Sequence, residues 1–328
     1  MTQSYSKESV KPSIKLETVS CCLCNSTESS IISEGTDYEY ESIPGTFTFH
    51  KCKKCNHLYL NPRPTLSSAS LLYPEDYKYP PIPEPKNNLL GKVHFLTKII
   101  NKITLNRIGK ILNSVPNNGT VLEVGFGEGE TLALIKKARK DCCVIGVDIK
   151  IDNKVKAFLE KQGITAKESP FEDFVSHPDT IDLIIMTQVI EHFWNLQDCI
   201  KKVREILKPG GIVVVATPNG AGYDRKLWAD GCWGGFYWPR HLNIFTPESL
   251  TKLFNDNKLE KVKIQFLLSP VGWGQSIRNK LKSNGHKNLA KIINPFSPVL
   301  LSIFTIMEIC ALILGLQTSN MQAIFQKK

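Results

Sequence analysis

A glycine-rich turn in residues 121–129 (VLEVGFGEG) constrains this chain more than any other segment. A short apolar run leads into Gly125, Gly127 and Gly129, and a helical pattern follows over residues 129–139. Glycines let the backbone bend tightly and let a ligand approach the main chain. A plain connection between a strand and a helix does not need three glycines. The segment therefore predicts a strand, a turn that binds a nucleoside-containing ligand, and a helix.

The acidic side chains around this turn indicate which ligand it binds. Dinucleotide sites use Gly-x-Gly-x-x-Gly and hold a pyrophosphate at the helix N-terminus, whereas the spacing here is Gly-x-Gly-x-Gly. Glu123, Glu128 and Glu130 would repel a pyrophosphate but attract a ligand that carries an ammonium and a sulfonium group. If Glu123 faces the pocket, S-adenosylmethionine is the ligand that fits this charge.

Short apolar runs alternate with amphipathic helical runs from residue 119 onward. An apolar fraction of 42% and a charged fraction of 22% exclude a collagen-like, mucin-like or wholly disordered chain. The alternation predicts an α/β fold in which helices cover both faces of a parallel sheet. The predicted strands are 120–124, 143–148, 182–187, 212–217, 261–268 and 321–326, and the predicted helices are 129–139, 152–162, 196–207 and 247–257.

The order of these motifs resembles that of class I S-adenosylmethionine-dependent methyltransferases. In that family the first motif, matched here by Glu123 and the three glycines, surrounds the methionine part of the cofactor. The next strand ends at Asp148, and a carboxylate there binds the ribose hydroxyls; a cap for the following helix is the structural alternative. The resemblance extends over residues 119–268 and implies a Rossmann-like, seven-stranded, mostly parallel sheet with helices on both faces.

Later segments supply further residues that the resemblance assigns to the cofactor. One segment resembles the family's carboxylate near the adenine amino group; Asp173 is our choice, with Phe171 and Glu172 as alternatives. In the loop after the family's fourth strand, we assign Gln188 to the cofactor site. Residues 207–219 and 240–250 match further segments of the family.

Three titratable residues are candidates for the base that methyl transfer to a hydroxyl requires. Glu191 and His192 follow the predicted strand 182–187, which resembles the family's fourth strand, at the carboxyl ends where open α/β sheets bind ligands. His241 follows the predicted strand 212–217, which corresponds to the fifth strand of the resembling family. Because adjacent side chains diverge, we expect only one of Glu191 and His192 to face the site. Packing by His192 and loop orientation by His241 are the structural alternatives.

Residues 228–241 (WADGCWGGFYWPRH) combine five aromatic side chains with three glycines. Such a segment can form a mobile lid that offers aromatic surfaces to a sugar, a base or an aromatic ring. An ordinary packed loop explains the same composition. The resembling family builds acceptor sites in this region, which favours the lid.

Two Cys-x-x-Cys pairs lie 27 residues apart near the N-terminus. This spacing predicts a structural Zn²⁺ site with four thiolate ligands and no open position for chemistry. The predicted ligands are Cys21, Cys24, Cys52 and Cys55. Cys22 could compete with Cys21, and His57 could replace a cysteine.

This N-terminal segment resembles the cysteine ribbons with which many bacterial class I methyltransferases begin. The sequence segments 55–64 and 73–77 contribute to that resemblance. Such proteins are frequent in sugar, cell-surface polysaccharide and natural-product pathways. The resemblance implies that the ribbon is part of the domain that binds the acceptor.

The composition along the chain predicts four segments. They are a disordered tail over 1–18, a zinc-ribbon domain over 19–72, a proline-rich linker with helices over 73–118, and an S-adenosylmethionine-binding domain over 119–328. We expect this last domain to contain an apolar helical insertion at about 270–319.

Residues 299–316 (VLLSIFTIMEICALILGL) contain a single charged side chain, Glu308. A helix buried against the domain or against a second copy is one explanation. A membrane-surface element over 278–316 is another, because five basic side chains precede the apolar run and no acid lies between Lys261 and Ile306. The central Glu308 and the strand predicted after it disfavour a helix that spans the membrane.

The formal net charge of +10 is distributed unevenly. Residues 119–260 carry 18 basic and 20 acidic side chains, whereas residues 261–328 carry 9 and 1. An acidic core suits a cationic cofactor and does not indicate a surface that coats RNA. The sequence therefore predicts an S-adenosylmethionine-dependent methyltransferase whose acceptor is a small molecule, a sugar or a lipid- or nucleotide-linked saccharide. An RNA methyltransferase with a zinc recognition module and a binding protein without activity are the alternatives.

The N-terminal residues and the cysteine content indicate the compartment. The first residues contain no apolar segment of a secretory signal. Ten cysteines in 328 residues are too few for a disulfide scaffold. We therefore expect reduced thiols and a cytoplasmic protein, with a peripheral position on the inner face of the membrane as the alternative.

Overall fold

The structure, a computed structural model, describes residues 14–73 and 109–328. Most of the predicted tail, and most of the predicted linker with its helices, lies outside the described residues. The described end of the predicted tail is ordered, because Leu16–Glu17 pairs antiparallel with Arg63–Pro64. The side chains of Arg63 and Glu17 add an ion pair at 2.8 Å.

The elements of the described residues are numbered here in chain order. The strands are β1 Leu16–Glu17, β2 Ser29–Gly35, β3 Phe47–Cys52, β4 Leu58–Leu60, β5 Arg63–Pro64, β6 Thr120–Val124, β7 Cys143–Asp148, β8 Thr165–Glu168, β9 Ile181–Thr187, β10 Leu207–Pro218, β11 Asn243–Ile244, β12 Leu259–Leu267 and β13 Asn320–Lys327. The helices are α1 Ala69–Leu72, α2 Glu130–Ala138, α3 Asn153–Lys161, α4 Leu196–Ile206, α5 Tyr223–Leu227, α6 Pro247–Asp256, α7 Pro270–Ser283, α8 Lys287–Ile292 and α9 Pro298–Ile313.

The chain divides into two compact units, each assembled from several segments of the sequence. The ribbon unit comprises Met1–Pro81, Gly222–Ile244 and Leu268–Leu316, and the cofactor unit comprises Ile82–Ala221, Phe245–Leu267 and Gln317–Lys328. This division differs from the predicted domains. Gly222–Ile244 and Leu268–Leu316 were expected in the cofactor-binding domain, but they group with the N-terminal segment.

A seven-stranded sheet forms the centre of the cofactor unit, in the order β12-β13-β10-β9-β6-β7-β8. The five strands from β10 to β8 in this order are parallel, and β13 is antiparallel to both of its neighbours. The six predicted strands are all present. β8 was not predicted, because its sequence, TAKE, is polar and its side chains are mostly exposed. The order reverses between β6 and β9, and ligands bind at such switch points in open α/β sheets.

The predicted helices of the cofactor unit are present within one residue of their predicted bounds, as α2, α3, α4 and α6. Each has buried apolar residues, from Leu159 alone in α3 to five in α4, which are Leu196, Cys199, Ile200, Val203 and Ile206. α3 begins after Asp152, whose carboxylate accepts a hydrogen bond from Lys154 N at 2.7 Å. α6 begins with a capping box formed by Thr246 and Ser249. Sequence periodicity and end signals therefore account for these helices.

The ribbon unit contains a four-stranded antiparallel sheet in the order β11-β4-β3-β2. Three of its strands come from the predicted zinc-ribbon segment. The fourth, Asn243–Ile244, comes from much later in the chain and pairs with Leu58–Leu60. Leu60 N also donates to Leu242 O at 2.9 Å. This long-range pairing explains why a late segment belongs to the same unit as the cysteines.

Aromatic residues of segment 228–241 form part of the core of the ribbon unit. Trp233, Phe236 and Trp238 are at most 1% exposed. The rings of Phe236 and Trp238 lie 5.1 and 4.9 Å from that of Phe49. These side chains therefore pack in the core of the ribbon unit. The structure supports the packed loop and not the aromatic lid favoured from the sequence.

A buried ion pair fixes this segment to the loop after β2. The Arg240 guanidinium donates to both carboxylate oxygens of Asp37, at 2.8 and 3.2 Å, and both side chains are at most 1% exposed. It also lies over the rings of Tyr40 and Tyr237. Removing one partner of such a pair costs about 3–5 kcal/mol, because the other charge stays buried.

The predicted apolar insertion forms α7, α8 and α9 of the ribbon unit. The rings of Trp273 in α7 and Phe304 in α9 stack at 5.7 Å. Among the described residues, no helix combines the length and the apolar character that crossing a membrane requires.

Candidate active site and candidate metal centre

The glycine turn after β6 has a backbone conformation that side chains rarely adopt. Gly125, Gly127 and Gly129 have φ angles of 69°, 52° and 73°. A Cβ atom on Gly125 would lie 2.3 Å from Val189 Cγ2, and one on Gly129 would lie 2.9 Å from Leu159 Cδ2. A Cβ on Gly127 would meet nothing within 4 Å. The main chain at Gly127 is therefore open to a ligand.

Glu123 lies in β6 immediately before this turn and is 3% exposed. Its Oε2 atom is buried and has no hydrogen-bond partner in the described part of the chain. Burial, and to a lesser extent the charge of Asp148, raises the pKa of Glu123 to about 8. A buried carboxylate is costly without a compensating charge, and a cationic ligand supplies one. This side chain therefore fits the ammonium group of S-adenosylmethionine.

Asp148 ends β7 beside the glycine turn. Its Oδ2 accepts a hydrogen bond from Gly127 N at 2.9 Å, and its Oδ1 accepts a longer one from Lys150 N at 3.4 Å. Burial raises the pKa of this carboxyl. The side chain that caps the following helix is Asp152, not Asp148. The structural alternative for Asp148, a helix cap, is therefore wrong.

The remaining predicted cofactor residues lie in loops after neighbouring strands. Asp173 lies in a 3₁₀ turn and its side chain is exposed. Of its two alternatives, Phe171 is buried, and Glu172 Oε1 accepts a contact from Cys199 Sγ at 3.2 Å. Gln188 follows β9 with a φ angle of 55°, and its Nε2 donates to Asn320 Oδ1 at 3.3 Å.

Glu191 and His192 lie in a 3₁₀ turn, Ile190–His192, at the carboxyl end of β9. Glu191 is 0% exposed and His192 is half-buried. The hydroxyl of Thr217, in β10, donates to Glu191 Oε2 at 2.9 Å. Burial raises the pKa of Glu191 to about 8, although this hydrogen bond lowers it. A carboxyl that titrates close to neutral pH can act as a general base. The sequence analysis did not assign a role to Thr217.

His241 belongs to the ribbon unit and is 6% exposed. Its Nδ1 lies 2.8 Å from Gly235 O, and because a carbonyl only accepts, Nδ1 carries the hydrogen. In the neutral ring, Nε2 is then the nitrogen that can take up a proton. The same hydrogen bond holds the ring to its own loop. This agrees with the alternative role for His241, which is to orient that loop.

The predicted metal ligands converge in the ribbon unit. The Sγ atoms of Cys21, Cys24, Cys52 and Cys55 all lie within 4.8 Å of one another. The distances from Cys21 to Cys55 and from Cys24 to Cys52 are both 3.5 Å. A disulfide would need about 2.05 Å, whereas four thiolates around tetrahedral Zn²⁺ at 2.3 Å lie about 3.8 Å apart. The donor set and its spacing therefore fit zinc.

Both cysteine pairs form the same type of turn. Asn25 N donates to Cys21 O at 2.8 Å, and Asn56 N donates to Cys52 O at 3.0 Å. The two asparagines have left-handed backbones, with φ angles of 57° and 60°. Asparagine tolerates this conformation better than most residues. The repeated sequence Cys-x-x-Cys-Asn was thus a signal for paired knuckles that the sequence analysis did not use.

The two alternative ligands lie outside this group of four. Cys22 Sγ donates to Asn243 Oδ1 at 3.1 Å. His57 is fully buried, and its Nε2 lies 3.2 Å from the same oxygen. Burial lowers the pKa of His57 to about 4, so its ring is neutral and Nε2 donates. Both side chains therefore hold β11 against the ribbon.

The strand order, the open glycine turn and the buried acid beside it define an S-adenosylmethionine-dependent methyltransferase domain. A family model described as a methyltransferase domain matches residues 95–264, which is more than half of the chain. The chain belongs to this family.

Curated relatives match the chain over part of its length. One from Mycolicibacterium smegmatis, named a probable S-adenosylmethionine-dependent methyltransferase, is 28% identical over 30% of this chain and 38% of its own. A ubiquinone biosynthesis O-methyltransferase of Cereibacter sphaeroides is 27% identical over 49% of this chain and 68% of its own. A solved structure, a SAM dependent methyltransferase from Archaeoglobus fulgidus, is similar with a TM-score of 0.45 and 20% identity, over 71% of this chain and 99% of that one.

Proposed function

We propose that this protein transfers the methyl group of S-adenosylmethionine to a hydroxyl of a small-molecule acceptor, a sugar or a lipid- or nucleotide-linked saccharide. The observation that carries the proposal is the buried carboxylate of Glu123, without a hydrogen-bond partner for Oε2, beside a main chain that is open at Gly127. A cationic ligand would compensate the charge of the Glu123 carboxylate, and it could approach the main chain at Gly127 closely.

The residues around the glycine turn have separate tasks in this proposal. Glu123 binds the ammonium group, and Asp148 accepts hydrogen bonds from the ribose hydroxyls while it holds Gly127 N. Asp173 and Gln188 complete the cofactor site. Bound S-adenosylmethionine supplies a methyl group on a positively charged sulfur, which makes that carbon open to attack. The protein's main contribution is to align the acceptor oxygen with it.

The proton of the acceptor hydroxyl needs a base. Glu191 is the first candidate, because its raised pKa of about 8 makes its ionised form a stronger base than an ordinary carboxylate, and that form becomes the major one above about pH 8. His192, next to it, is the second. His241, with Nε2 as the accepting nitrogen, is the third. The proton passes to one of these side chains as the new carbon–oxygen bond forms, and S-adenosylhomocysteine leaves.

A hydroxyl acceptor is favoured by the names of the curated relatives. Seven of them are ubiquinone biosynthesis O-methyltransferases, at 24–30% identity. These names support oxygen as the accepting atom, and they make a phenolic quinone precursor the second candidate acceptor. The basic C-terminal segment, with 9 basic and 1 acidic side chains over 261–328, suits an acceptor that carries phosphate.

The four cysteines of the ribbon unit hold a structural zinc ion in this proposal. Four thiolates leave no open coordination position, so the ion stabilises the fold and takes no part in methyl transfer. Within residues 14–73 and 109–328, the ribbon unit contributes no strand to the cofactor sheet. Recognition of the acceptor is the task we assign to it.

A screen with radiolabelled S-adenosylmethionine tests this function. Nucleotide sugars, polyprenyl-linked saccharides, phenolic quinone precursors and RNA fragments are incubated separately with the full chain. Base-stable label in a saccharide is the expected result. Label in RNA alone would favour the alternative enzyme. Calorimetry tests the cofactor assignment separately. If S-adenosylmethionine does not bind at millimolar concentration, the cofactor assignment is contradicted.

A further inference from the structure

The outward side of α9 is apolar along the whole helix. Its exposed large apolar side chains, between 38% and 79% accessible, are Val299, Ile303, Ile306, Met307, Ile309 and Ile313, and the exposed Leu314 follows directly after the helix. At 3.6 residues per turn these positions lie on one side of the helix. The buried residues Phe304, Glu308 and Ala311 lie on the opposite side. The helix therefore packs by one stripe and presents a second apolar stripe to solvent.

The single charged side chain of α9 does not interrupt this exposed stripe. Glu308 is 0% exposed, and its Oε2 accepts a hydrogen bond from Ser269 N at the start of α7. The exposed apolar side chains can therefore be buried in another phase without burial of a charged side chain. The objection that a central acid would oppose contact with lipid does not apply to this orientation.

The preceding helix extends the apolar surface and adds positive charge. Leu289 and Ile292 in α8 are 52% and 75% exposed. Apolar patches of this extent are uncommon on soluble proteins and mark interaction sites. We name the exposed apolar side chains of α8 and α9 the C-terminal apolar face.

Five basic side chains lie in the two helices that precede α9, three of them in α7 and two in α8. The five are Arg278, Lys280, Lys282, Lys287 and Lys291. Lys280 pairs with Asp230, and Lys282 and Lys287 share Glu41. Asp230 and Glu41 thus pair with three of the five cations, and the sequences of α7 and α8 themselves contain no acid. A surface that combines apolar side chains with an excess of cations suits an anionic lipid layer.

We propose that the C-terminal apolar face docks on an anionic membrane, with α9 lying in the plane of the lipid headgroups. α9 has 16 residues, about 24 Å at 1.5 Å per residue, and it is shorter than a hydrocarbon core of about 30 Å. A second copy is a poorer occupant, because a two-fold axis through this face would bring together two copies of α8, each with the exposed Lys287 and Lys291. This inference does not depend on the identity of the acceptor.

Flotation of the full chain with lipid vesicles tests the docking surface. Vesicles are made of equimolar phosphatidylglycerol and phosphatidylcholine, or of phosphatidylcholine alone. We expect binding to the anionic vesicles and about tenfold less binding to the neutral ones, since basic side chains near the surface are attracted to anionic headgroups. The double change Ile306→Glu and Ile313→Glu should reduce binding to the anionic vesicles at least about tenfold.

The matched control places the same change on exposed apolar side chains elsewhere. Val175 and Val262, in the cofactor unit, are 91% and 57% exposed. Val175→Glu with Val262→Glu adds equal negative charge and should leave flotation near the wild-type level. Circular dichroism and S-adenosylmethionine affinity establish that both double variants fold. Lys291→Glu tests the contribution of positive charge separately. It changes an exposed side chain of α8 and leaves the apolar stripe intact.

The possible results separate the membrane from other occupants. Flotation that is lost with I306E/I313E and kept with V175E/V262E supports the proposal. Absence of flotation, or equal flotation of all variants, overturns it. A dimer in light scattering that I306E/I313E converts to a monomer, without vesicle binding by the wild type, assigns the face to a second copy and also overturns it.

Discussion

At the scale of single residues, Glu123 and Glu191 show how burial sets the chemistry of the cofactor unit. Both carboxyls are at most 3% exposed, and burial raises the pKa of each to about 8. They differ in their partners. Glu191 accepts a hydrogen bond from Thr217, whereas Glu123 Oε2 has none among the described residues. Thr217 thus helps to hold Glu191 in place, and Glu123 Oε2 fits the cationic ligand that we propose for it.

Replacing Glu123 with Gln should weaken cofactor binding and remove its pH dependence. In the free protein the carboxyl is protonated below about pH 8, and a cationic ligand favours its ionised form. Binding of S-adenosylmethionine by the wild type should therefore release a proton, and its affinity should rise from pH 6 to 8. We expect Glu123→Gln to raise the Kd at least about tenfold at pH 8, the equivalent of 1.4 kcal/mol, with no such rise in affinity.

Calorimetry in buffers of different ionisation enthalpy measures both the Kd and the released proton. Glu128→Gln is the matched control, because Glu128 is an exposed acid of the same turn. It should change the Kd little. Equal effects of the two substitutions would show that the turn acts through general charge, and Glu123 would lose its specific role.

Replacing Glu191 with Gln should lower turnover while raising stability. As pH rises from 4.5 to about 8, the unfolded chain loses this proton while the folded protein keeps it. The stability contributed by the neutral side chain is therefore complete below this window and lost above it. We expect Glu191→Gln to be more stable than the wild type at pH 8.5, on the order of 2 kcal/mol, with little difference at pH 5.

Denaturant unfolding at the two pH values measures this stability. With an acceptor from the screen, kcat of the wild type should rise with pH through about 8, and Glu191→Gln should lower it at least about 100-fold. Unchanged kcat would remove Glu191 as the base. His192→Ala and His241→Ala then decide between the histidines, since loss of the true base lowers kcat and leaves cofactor affinity intact.

At the scale of elements, the ribbon unit depends on contacts that link segments far apart in sequence. β11 completes the ribbon sheet by pairing with β4. Cys22 and His57 both contact the side chain of Asn243 in that strand. The sequence places these residues 221 and 186 positions apart. The cysteine knuckles and the loop that carries His241 are therefore parts of one folding unit.

Replacing Cys24 with Ser should remove bound zinc, whereas replacing Cys22 with Ser should not. Cys24 Sγ lies within the group of four sulfur atoms, and Cys22 Sγ contacts Asn243 instead. We expect one zinc ion per chain in the wild type and in Cys22→Ser, and much less in Cys24→Ser. Atomic emission spectrometry measures the metal. Loss of a structural zinc ligand should also lower the thermal midpoint of unfolding, because metal binding contributes folding free energy.

A chelator titration provides the control for this experiment. It should lower the midpoint of the wild type and of Cys22→Ser toward that of Cys24→Ser. Equal zinc content in the two variants would contradict the assignment of the ligands.

Elements with a strong local pattern were predictable from the sequence, and elements made by distant partners were not. β6 and β7 have their predicted bounds because each is an apolar run closed by a glycine turn or a strand-end carboxylate. β8 has no such pattern, since it is a polar edge strand. β1 and β11 have two residues each and exist through pairing alone. The aromatic run 228–241 has a core composition, but only its partners, such as Phe49, show that it is packed.

The residues of the candidate site also differ in whether a local motif or a distant partner defines them. The glycine turn and the four cysteines were identified because their chemistry lies in short, regularly spaced motifs. The partner of Glu191 is Thr217, on another strand, and no local pattern links them. The sequence also could not distinguish Asp148 from Asp152 as a helix cap, because that depends on where α3 begins.

At the scale of the whole molecule, the charge distribution distinguishes the proposed acceptor from RNA. The net charge of +10 is concentrated in residues 261–328, while residues 119–260 carry more acidic than basic side chains. A protein that binds RNA through many phosphates loses affinity steeply with salt, because each contact releases a counterion. A saccharide linked to one or two phosphates gives only a shallow dependence.

We therefore expect the affinity for the accepted substrate to change little with salt. A plot of log Kd against log salt concentration should have a slope of about 1–2, against about 4 or more for an RNA that contacts six phosphates at 0.7 per phosphate. Fluorescence anisotropy with labelled nucleotide sugar and labelled RNA, each titrated at several salt concentrations, measures both slopes. A steep slope together with methyl transfer to RNA would move the acceptor to nucleic acid. The acidic balance of residues 119–260, which contain the glycine turn, makes the shallow slope the expected one, because excess acid around the cofactor turn disfavours many phosphate contacts there.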